Sequence, residues 1–286
     1  MSNTYAACLA AEPRSAANNR YLDLLRDCII GSIRPERYRR LINQPWWFAP
    51  ISKALGRVGF ELVRKASYDP RLREEGLDWP ANAESMIGRK RMDNLRFCIE
   101  SALEDRVPGD FIEAGVWRGG AAIFMRGVLK ANDVRNRLVW VADSFEGLPA
   151  PDPKYSADAG DRHSTLKDMG VSLEEVQRNF ENYGLLDHNV RFLKGWFCDT
   201  LAKAPIDRLA LMRLDGDMYG STMDSLEALY PRLCVGGYVI IDDYNLPGAR
   251  QATDDYRLRH GITESIQRVD WTGVYWRRST AAYNGG

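Results

Sequence analysis

Four aspartates fall in two tight groups, Asp215 and Asp217 in Leu214-Asp215-Gly216-Asp217-Met218, and Asp242 and Asp243 in Ile241-Asp242-Asp243-Tyr244. Each group ends an apolar run of the length and composition of a buried parallel strand. Carboxylates gathered at the ends of neighbouring strands repel one another unless a cation or a proton sits among them. That concentration favours a hard divalent ion with Asp215, Asp242 and Asp243 as oxygen ligands. The alternative is that one or two of these acids cap the helices expected to begin near Ser221 and Ala249.

Two further strand exits carry chemistry. Glu113-Ala114-Gly115-Val116-Trp117-Arg118-Gly119-Gly120 reads as a strand end followed by a glycine-bearing turn. Glycines there let backbone approach a ligand closely, and Glu113 can attract a cationic group. The next strand ends at Asp143 in Val139-Trp140-Val141-Ala142-Asp143-Ser144, at about the interval where an acid commonly meets a ribose diol. A glycine turn together with an acidic strand end is the pattern of a nucleoside-cofactor site, although the spacing is not GxGxxG.

These residues need a sheet to bring them together. Strand candidates are Asp110–Ala114, Leu138–Ala142, Val190–Leu193, Leu209–Leu214 and Tyr238–Ile241, each separated from the next by a helical or loop segment. That alternation implies right-handed crossovers and a mostly parallel α/β sheet, whose ligands bind outside the carboxyl ends of the strands. After a helix over Ala249–His260, Ser265–Val269 and Gly273–Arg277 form a hairpin that adds an antiparallel strand near the edge. Residues 1–80 read as an N-terminal helical extension on a domain spanning 81–286. Within the extension, Asp23–Leu41 is one expected helix, and Trp47, Ile51, Leu55, Val58 and Leu62 form an apolar stripe on a second. Basic residues flank that stripe, so the 46–65 segment can face a membrane or a partner; packing against the core or a second subunit is favoured. Tyr68–Pro80 reads as a connection into a helix over Ser85–Leu103.

The whole chain sets outer limits. Its 286 residues are enough for a full α/β core, and 39 Lys+Arg against 39 Asp+Glu argue against general nucleic-acid binding by a basic surface, a local patch aside. Five cysteines, Cys8, Cys28, Cys98, Cys198 and Cys234, have wide spacings and no CxxC pair, as expected for reduced thiols in a cytoplasm. Neither a secretory leader nor a spanning apolar run is expected.

The stretches Glu113–Gly120, DSFEGLP at Asp143–Pro149, Gly195–Leu201, Leu214–Tyr219 with Ser221-Thr222, GGYVIIDDY at Gly236–Tyr244, and Gly273–Arg278 together resemble the macrocin-type (TylF/MycF/NovP) O-methyltransferases of antibiotic biosynthesis. The resemblance runs in order from Asp78 to Arg278. It implies a class I, Rossmann-like methyltransferase fold using S-adenosylmethionine and Mg2+ to methylate a hydroxyl of a deoxysugar on a natural product. It further implies Glu113 and Gly115 at the methionine end of the cofactor, and Asp143 and Ser144 on the ribose side. Gly195, Trp196 and Phe197 come to the adenine side, and Met86 and Ile87 close over the cofactor. Asp215 serves cofactor and metal, Asp242 and Asp243 complete the metal site, and Asp217 is the general base. The expected acceptor is a small-molecule glycoside, and the expected assembly a homo-oligomer.

Other readings compete. A phenolic or catechol acceptor also suits a metal held by carboxylates. A nicotinamide oxidoreductase lacks its GxGxxG turn and a Tyr-xxx-Lys pair here. The Pro149–Met169 loop is a candidate lid over the sugar. His163 within it reads as an exposed loop residue without a catalytic role.

Overall fold

The computed structural model of the chain describes residues 16–35, 38–40, 48–65 and 67–279. The N-terminal elements are α1 (Ala16–Ile29), β1 (Tyr38–Arg40), α2 (Ala49–Arg57), β2 (Val63–Lys65) and α3 (Pro70–Glu75). Then come α4 (Arg89–Glu104), β3 (Asp110–Ala114), α5 (Gly120–Ala131), β4 (Val139–Asp143), α6 (Leu173–Asn182), β5 (Val190–Lys194) and α7 (Phe197–Thr200). The chain continues with β6 (Leu209–Leu214), α8 (Tyr219–Leu229), β7 (Leu233–Ile241), α9 (Pro247–Arg259), β8 (Gln267–Arg268) and β9 (Val274–Arg277).

Seven strands form one sheet in the order β5-β4-β3-β6-β7-β9-β8. The first five run parallel; β9 is antiparallel to β7, and β8 is antiparallel to β9. Every residue of β6 is buried, as a central strand covered on both faces requires. Phe111 faces a core layer shared with α1, α4 and α5, which contribute Leu25, Leu95 and Phe124, whereas Ile112 faces the opposite layer with Leu226, Tyr256 and Trp276. Strand order reverses between β3 and β6, the switch point at which open α/β sheets form a crevice.

Several sequence expectations need correction. The helix expected over Asp23–Leu41 ends at Ile29, because Gly31 takes a left-handed φ of 71° and Pro35 follows; Tyr38–Arg40 instead pairs antiparallel with β2. The helix expected from Ser85 starts at Arg89, where Gly88 is pressed against the Glu74 carbonyl and the Gly76 amide. Tyr68–Pro80, read as a connection, contains α3, with Asp69 accepting from the Arg71 N–H at 2.9 Å, Pro70 in the first turn and Gly76 left-handed at the end. β7 begins five residues before Tyr238, and β8 is shorter than Ser265–Val269.

The apolar stripe does not pack on the chain's own core. No residue of α2 is buried, and Ile51 and Val58 are 49% and 67% exposed. Trp46 and Trp47 lie outside the described residues. By contrast Leu22, Leu25 and Ile29 of α1 join the main core, and α1 packs so closely on α5 that a Cβ at Gly127 would stand 2.2 Å from Leu25 Cδ2.

Candidate active site

A cavity of about 440 Å³ opens at the carboxyl ends of β3, β4, β6 and β7. Met86, Ile87, Glu113, Gly115, Asp143, Ser144, Trp196, Phe197, Asp215, Asp217, Asp242 and Asp243 all line it. Gly195 ends one residue outside the wall, its N–H donating to the Asp143 carbonyl at 2.9 Å. Gly115 must be glycine: its φ is 88°, and a Cβ would stand 1.9 Å from the Asp215 carbonyl oxygen.

The acids are organised around two buried arginines. Arg213, on β6, reaches Glu113 at 2.6 Å, Asp215 at 2.9 Å and Asp242 at 2.6 Å. Arg91, on α4, pairs with the other oxygen of Asp242 and with Asp270 at 2.9 Å. Room for Arg91 comes from Gly76 and Gly273, whose absent side chains would collide with it. Enclosure alone would raise Asp242, but the two guanidiniums outweigh that and hold it below the usual carboxylate range. Glu113, with a share in one guanidinium already divided among three acids, is pushed up by burial to about 8.

Among the described residues no guanidinium pairs with Asp217 or Asp243. Desolvation raises both well above the ordinary range, and the charges of Asp215 and Asp242 raise them further. The Asp217 N–H donates to Asp243 Oδ2 at 3.2 Å, and Asp217 holds a left-handed φ of 56°. For a residue other than glycine that conformation costs about 1–2 kcal/mol. Asp215, Asp242 and Asp243 can each offer one oxygen such that all three lie within 4.8 Å of one another. The helix-capping alternative is not what the structure shows: Met218 and Leu246 stand at the N-caps of α8 and α9, and neither helix has a side-chain cap from these aspartates.

The glycine-turn side is built from backbone. Asp143 accepts from the Val116 and Phe145 N–H groups, each at 2.8 Å, and Ser144 Oγ donates to the Gly147 carbonyl at 2.7 Å. Arg73 of α3 is 2% exposed and donates to the Met86 and Ile87 carbonyls at 2.7 and 2.6 Å, fixing that segment against the cavity. Trp117, also left-handed, donates its indole N–H to the Asp168 carbonyl at 2.9 Å and so ties the 149–169 loop to the turn. His163 lines the cavity too, with Nδ1 2.7 Å from Asp161 Oδ2. Trp140 is core, its indole N–H donating to Asp110 at 2.9 Å.

Comparison with known proteins turns this architecture into a family. Residues 18–278 match the Macrocin-O-methyltransferase (TylF) family. The chain belongs to that family. Mycinamicin III 3''-O-methyltransferase of Micromonospora griseorubida is 55% identical over 222 residues, covering 76% of this chain and 87% of that protein. Demethyldecarbamoylnovobiocin O-methyltransferase of Streptomyces niveus is 54% identical over 221 residues, covering 76% and 84%. The solved structure of the O-methyltransferase NovP matches with a TM-score of 0.81 at 45% identity, over 92% of this chain and 100% of that one. The protein is thus an O-methyltransferase with the class I, Rossmann-like fold expected from its sequence. None of the described helices is long and apolar enough to cross a membrane.

The cavity and its surroundings in this macrocin-type enzyme also contain residues that the sequence did not point to. Arg213 carried a signal: a lone guanidinium inside the apolar run Leu209–Leu214 must find an anion when that strand is buried. Arg91, Asp270 and Asp158 gave none, since their partners lie far along the chain. Trp79 and Trp271, both exposed at the cavity rim, were likewise not singled out.

Proposed function

We propose that this enzyme methylates a sugar hydroxyl of a glycosylated natural product, using S-adenosylmethionine and Mg2+, with Asp217 as general base. The observation that carries this reading is the pairing, in one cavity, of a glycine turn that only glycine can make with aspartates that lack enough positive charge. Three carboxylate oxygens within 4.8 Å of one another suit a hard divalent ion, whose oxygen bonds of about 2.0–2.6 Å put opposed ligands that far apart. Burial and the neighbouring charges of Asp215 and Asp242 raise the Asp217 and Asp243 carboxyls, and a divalent ion held among these acids would offset that repulsion. Relatives named for methylating mycinamicin III and demethyldecarbamoylnovobiocin support a glycoside acceptor.

When bound, the sulfonium supplies an electrophilic methyl group, and the metal supplies positive charge that acidifies an alcohol. The chain's own residues do the rest. Asp215, Asp242 and Asp243 would hold the ion, while Asp143, Ser144, Trp196 and Phe197 would bind the nucleoside and Glu113 and Gly115 the methionine end. Arg91 and Arg213 keep Asp242 ionised and aimed at the cavity. Asp217, carried beyond the last residue of β6, accepts the hydroxyl proton on a carboxylate oxygen as the hydroxyl oxygen becomes the nucleophile. Because charge is lost from sulfur in the transfer, positioning contributes more than stabilisation of an anion.

Titration calorimetry with S-adenosylmethionine and S-adenosylhomocysteine, after EDTA and with Mg2+ restored, tests the cofactor assignment. Methyl transfer to mycinamicin III, demethyldecarbamoylnovobiocin and caffeic acid tests the acceptor class. Cofactor binding with Mg2+-dependent methylation of a glycoside is expected. Binding of neither cofactor overturns the reading, and methylation of caffeic acid alone overturns the sugar assignment.

A further inference from the structure

The 149–169 loop follows β4 and supplies cavity-wall residues from Pro149 to Met169. One of its acids is not exposed. Asp158, on a single 3-10 turn at Ser156–Asp158, is 3% exposed, and its carboxylate points away from the loop into the body of the enzyme. Oδ1 accepts from the Tyr219 N–H at 2.6 Å, and Oδ2 accepts from the Gly220 N–H at 3.0 Å. These are the first two amides of α8, a helix whose own N-cap, Met218, provides no side-chain acceptor. The cap that the chain omits locally is supplied from sixty-odd residues earlier.

The surroundings are shaped to admit it. A Cβ at Gly248, in the first turn of α9, would stand 2.8 Å from Asp158 Oδ1, and a Cβ at Gly220 would stand 3.0 Å from the Tyr155 ring. Two helix N-termini therefore converge on one carboxylate. The Tyr155 and Tyr219 rings pack with centroids 5.1 Å apart beside it. The segment held this way is the one that carries Asp217: only Met218 separates that residue from α8. On its other side Asp217 is tied through its N–H to Asp243.

We propose that Asp158 is a positioning residue: by capping α8 from the loop, it makes closure of the loop over the acceptor and placement of the Asp217 carboxylate a single event. The catalytic half of this inference rests on Asp217 acting as base; the mechanical half does not. With the loop away, α8 loses its cap, and the chain at 217–219 loses its backbone anchor to the loop while keeping those to Asp243 and Asp255. The base is then in place only when the cavity is covered.

Amide exchange read by mass spectrometry, on the full chain with S-adenosylhomocysteine and Mg2+, tests the mechanical half without any acceptor. In Asp158→Ala, exchange in the loop and in the 217–222 segment should rise together by about tenfold, the size of one lost helix cap. Asp158→Asn keeps one acceptor oxygen and should fall between. Faster exchange in the loop with 217–222 unchanged, or no change in either, overturns the coupling. If Asp158→Ala does not fold, Asp158→Asn gives the same paired readout at smaller size.

The catalytic half is read as a split in kinetics on the glycoside that the wild-type enzyme turns over best. Asp158→Asn should lower kcat by about tenfold or more, leaving the affinity for S-adenosylhomocysteine within about twofold, and Asp158→Ala should lower it further. Unchanged kcat alongside loosened 217–222 exchange overturns the positioning role. An active Asp217→Asn variant removes the base assignment instead, and the exchange result then stands or falls by itself.

Discussion

The acids at this end of the sheet divide into a half paired with guanidiniums and a half without. Glu113, Asp242 and Asp270 are almost fully buried and share Arg91 and Arg213, whereas Asp217 and Asp243 are half-buried, open to the cavity and without a guanidinium. Asp215 joins the two, with one oxygen 2.9 Å from Arg213 and part of its side chain open to the cavity. The same residue type thus does two jobs a few ångströms apart. In the first half the guanidiniums hold the acids in place, Asp242 among them with the ion's other ligands beside it; in the second no guanidinium does so.

The sharpest way to break this division is to remove the shared cation. Arg213→Met leaves Glu113 and Asp242 buried with one guanidinium between them at most, and should cost about 3–5 kcal/mol in urea unfolding. A loss below about 1 kcal/mol would mean that the paired half is not held by its arginines. Asp217→Asn acts on the other half: turnover should fall by about a hundredfold to ten-thousandfold, while cofactor affinity and unfolding midpoint stay level or rise, because one of several repelling carboxylates is gone. A variant that loses stability in parallel with activity would place Asp217 in the architecture.

The smallest effect is a slope. Glu113 is pushed from an ordinary 4.5 up to about 8, so between those values the folded enzyme holds a proton that the unfolded chain has released. Stability must then fall as pH rises across that window. In EDTA, the wild-type thermal midpoint should drop by a few degrees relative to Glu113→Gln between about pH 5 and pH 8. A flat difference would show that Arg213 holds Glu113 ionised throughout.

What the sequence made legible follows from distance along the chain. The strand exits could be read because a buried strand and the acid leaving it are contiguous, as in Leu214-Asp215 and Ile241-Asp242. The glycine turn was legible for the same reason. Arg91 could not be assigned, since its partner Asp242 lies 151 positions away and nothing in Arg89-Lys90-Arg91 distinguishes the inward guanidinium from its neighbours. The α2 stripe does not join this chain's core, because period alone states that a face is apolar and not what covers it. Asp158 was invisible among the polar residues of its loop, where burial depends on a helix start that has yet to be placed.

One feature of the sheet also bears on when the enzyme becomes active. The turn between β8 and β9 stands at the cavity end of the sheet, so that Asp270 reaches Arg91 and Thr272 Oγ1 donates to the Asp242 carbonyl at 3.1 Å. The paired half is therefore assembled from residues 91 to 272, and no shorter stretch of the emerging polypeptide contains all its parts. Contacts of such separation form late and slowly. During synthesis Arg91 and Arg213 are made before Asp242 and Asp270, so the nascent chain carries buried-site arginines with no full set of counterions. The site is complete only once the β8–β9 hairpin has joined β7, and activity in a translation reaction should appear only after Arg277 has cleared the ribosome.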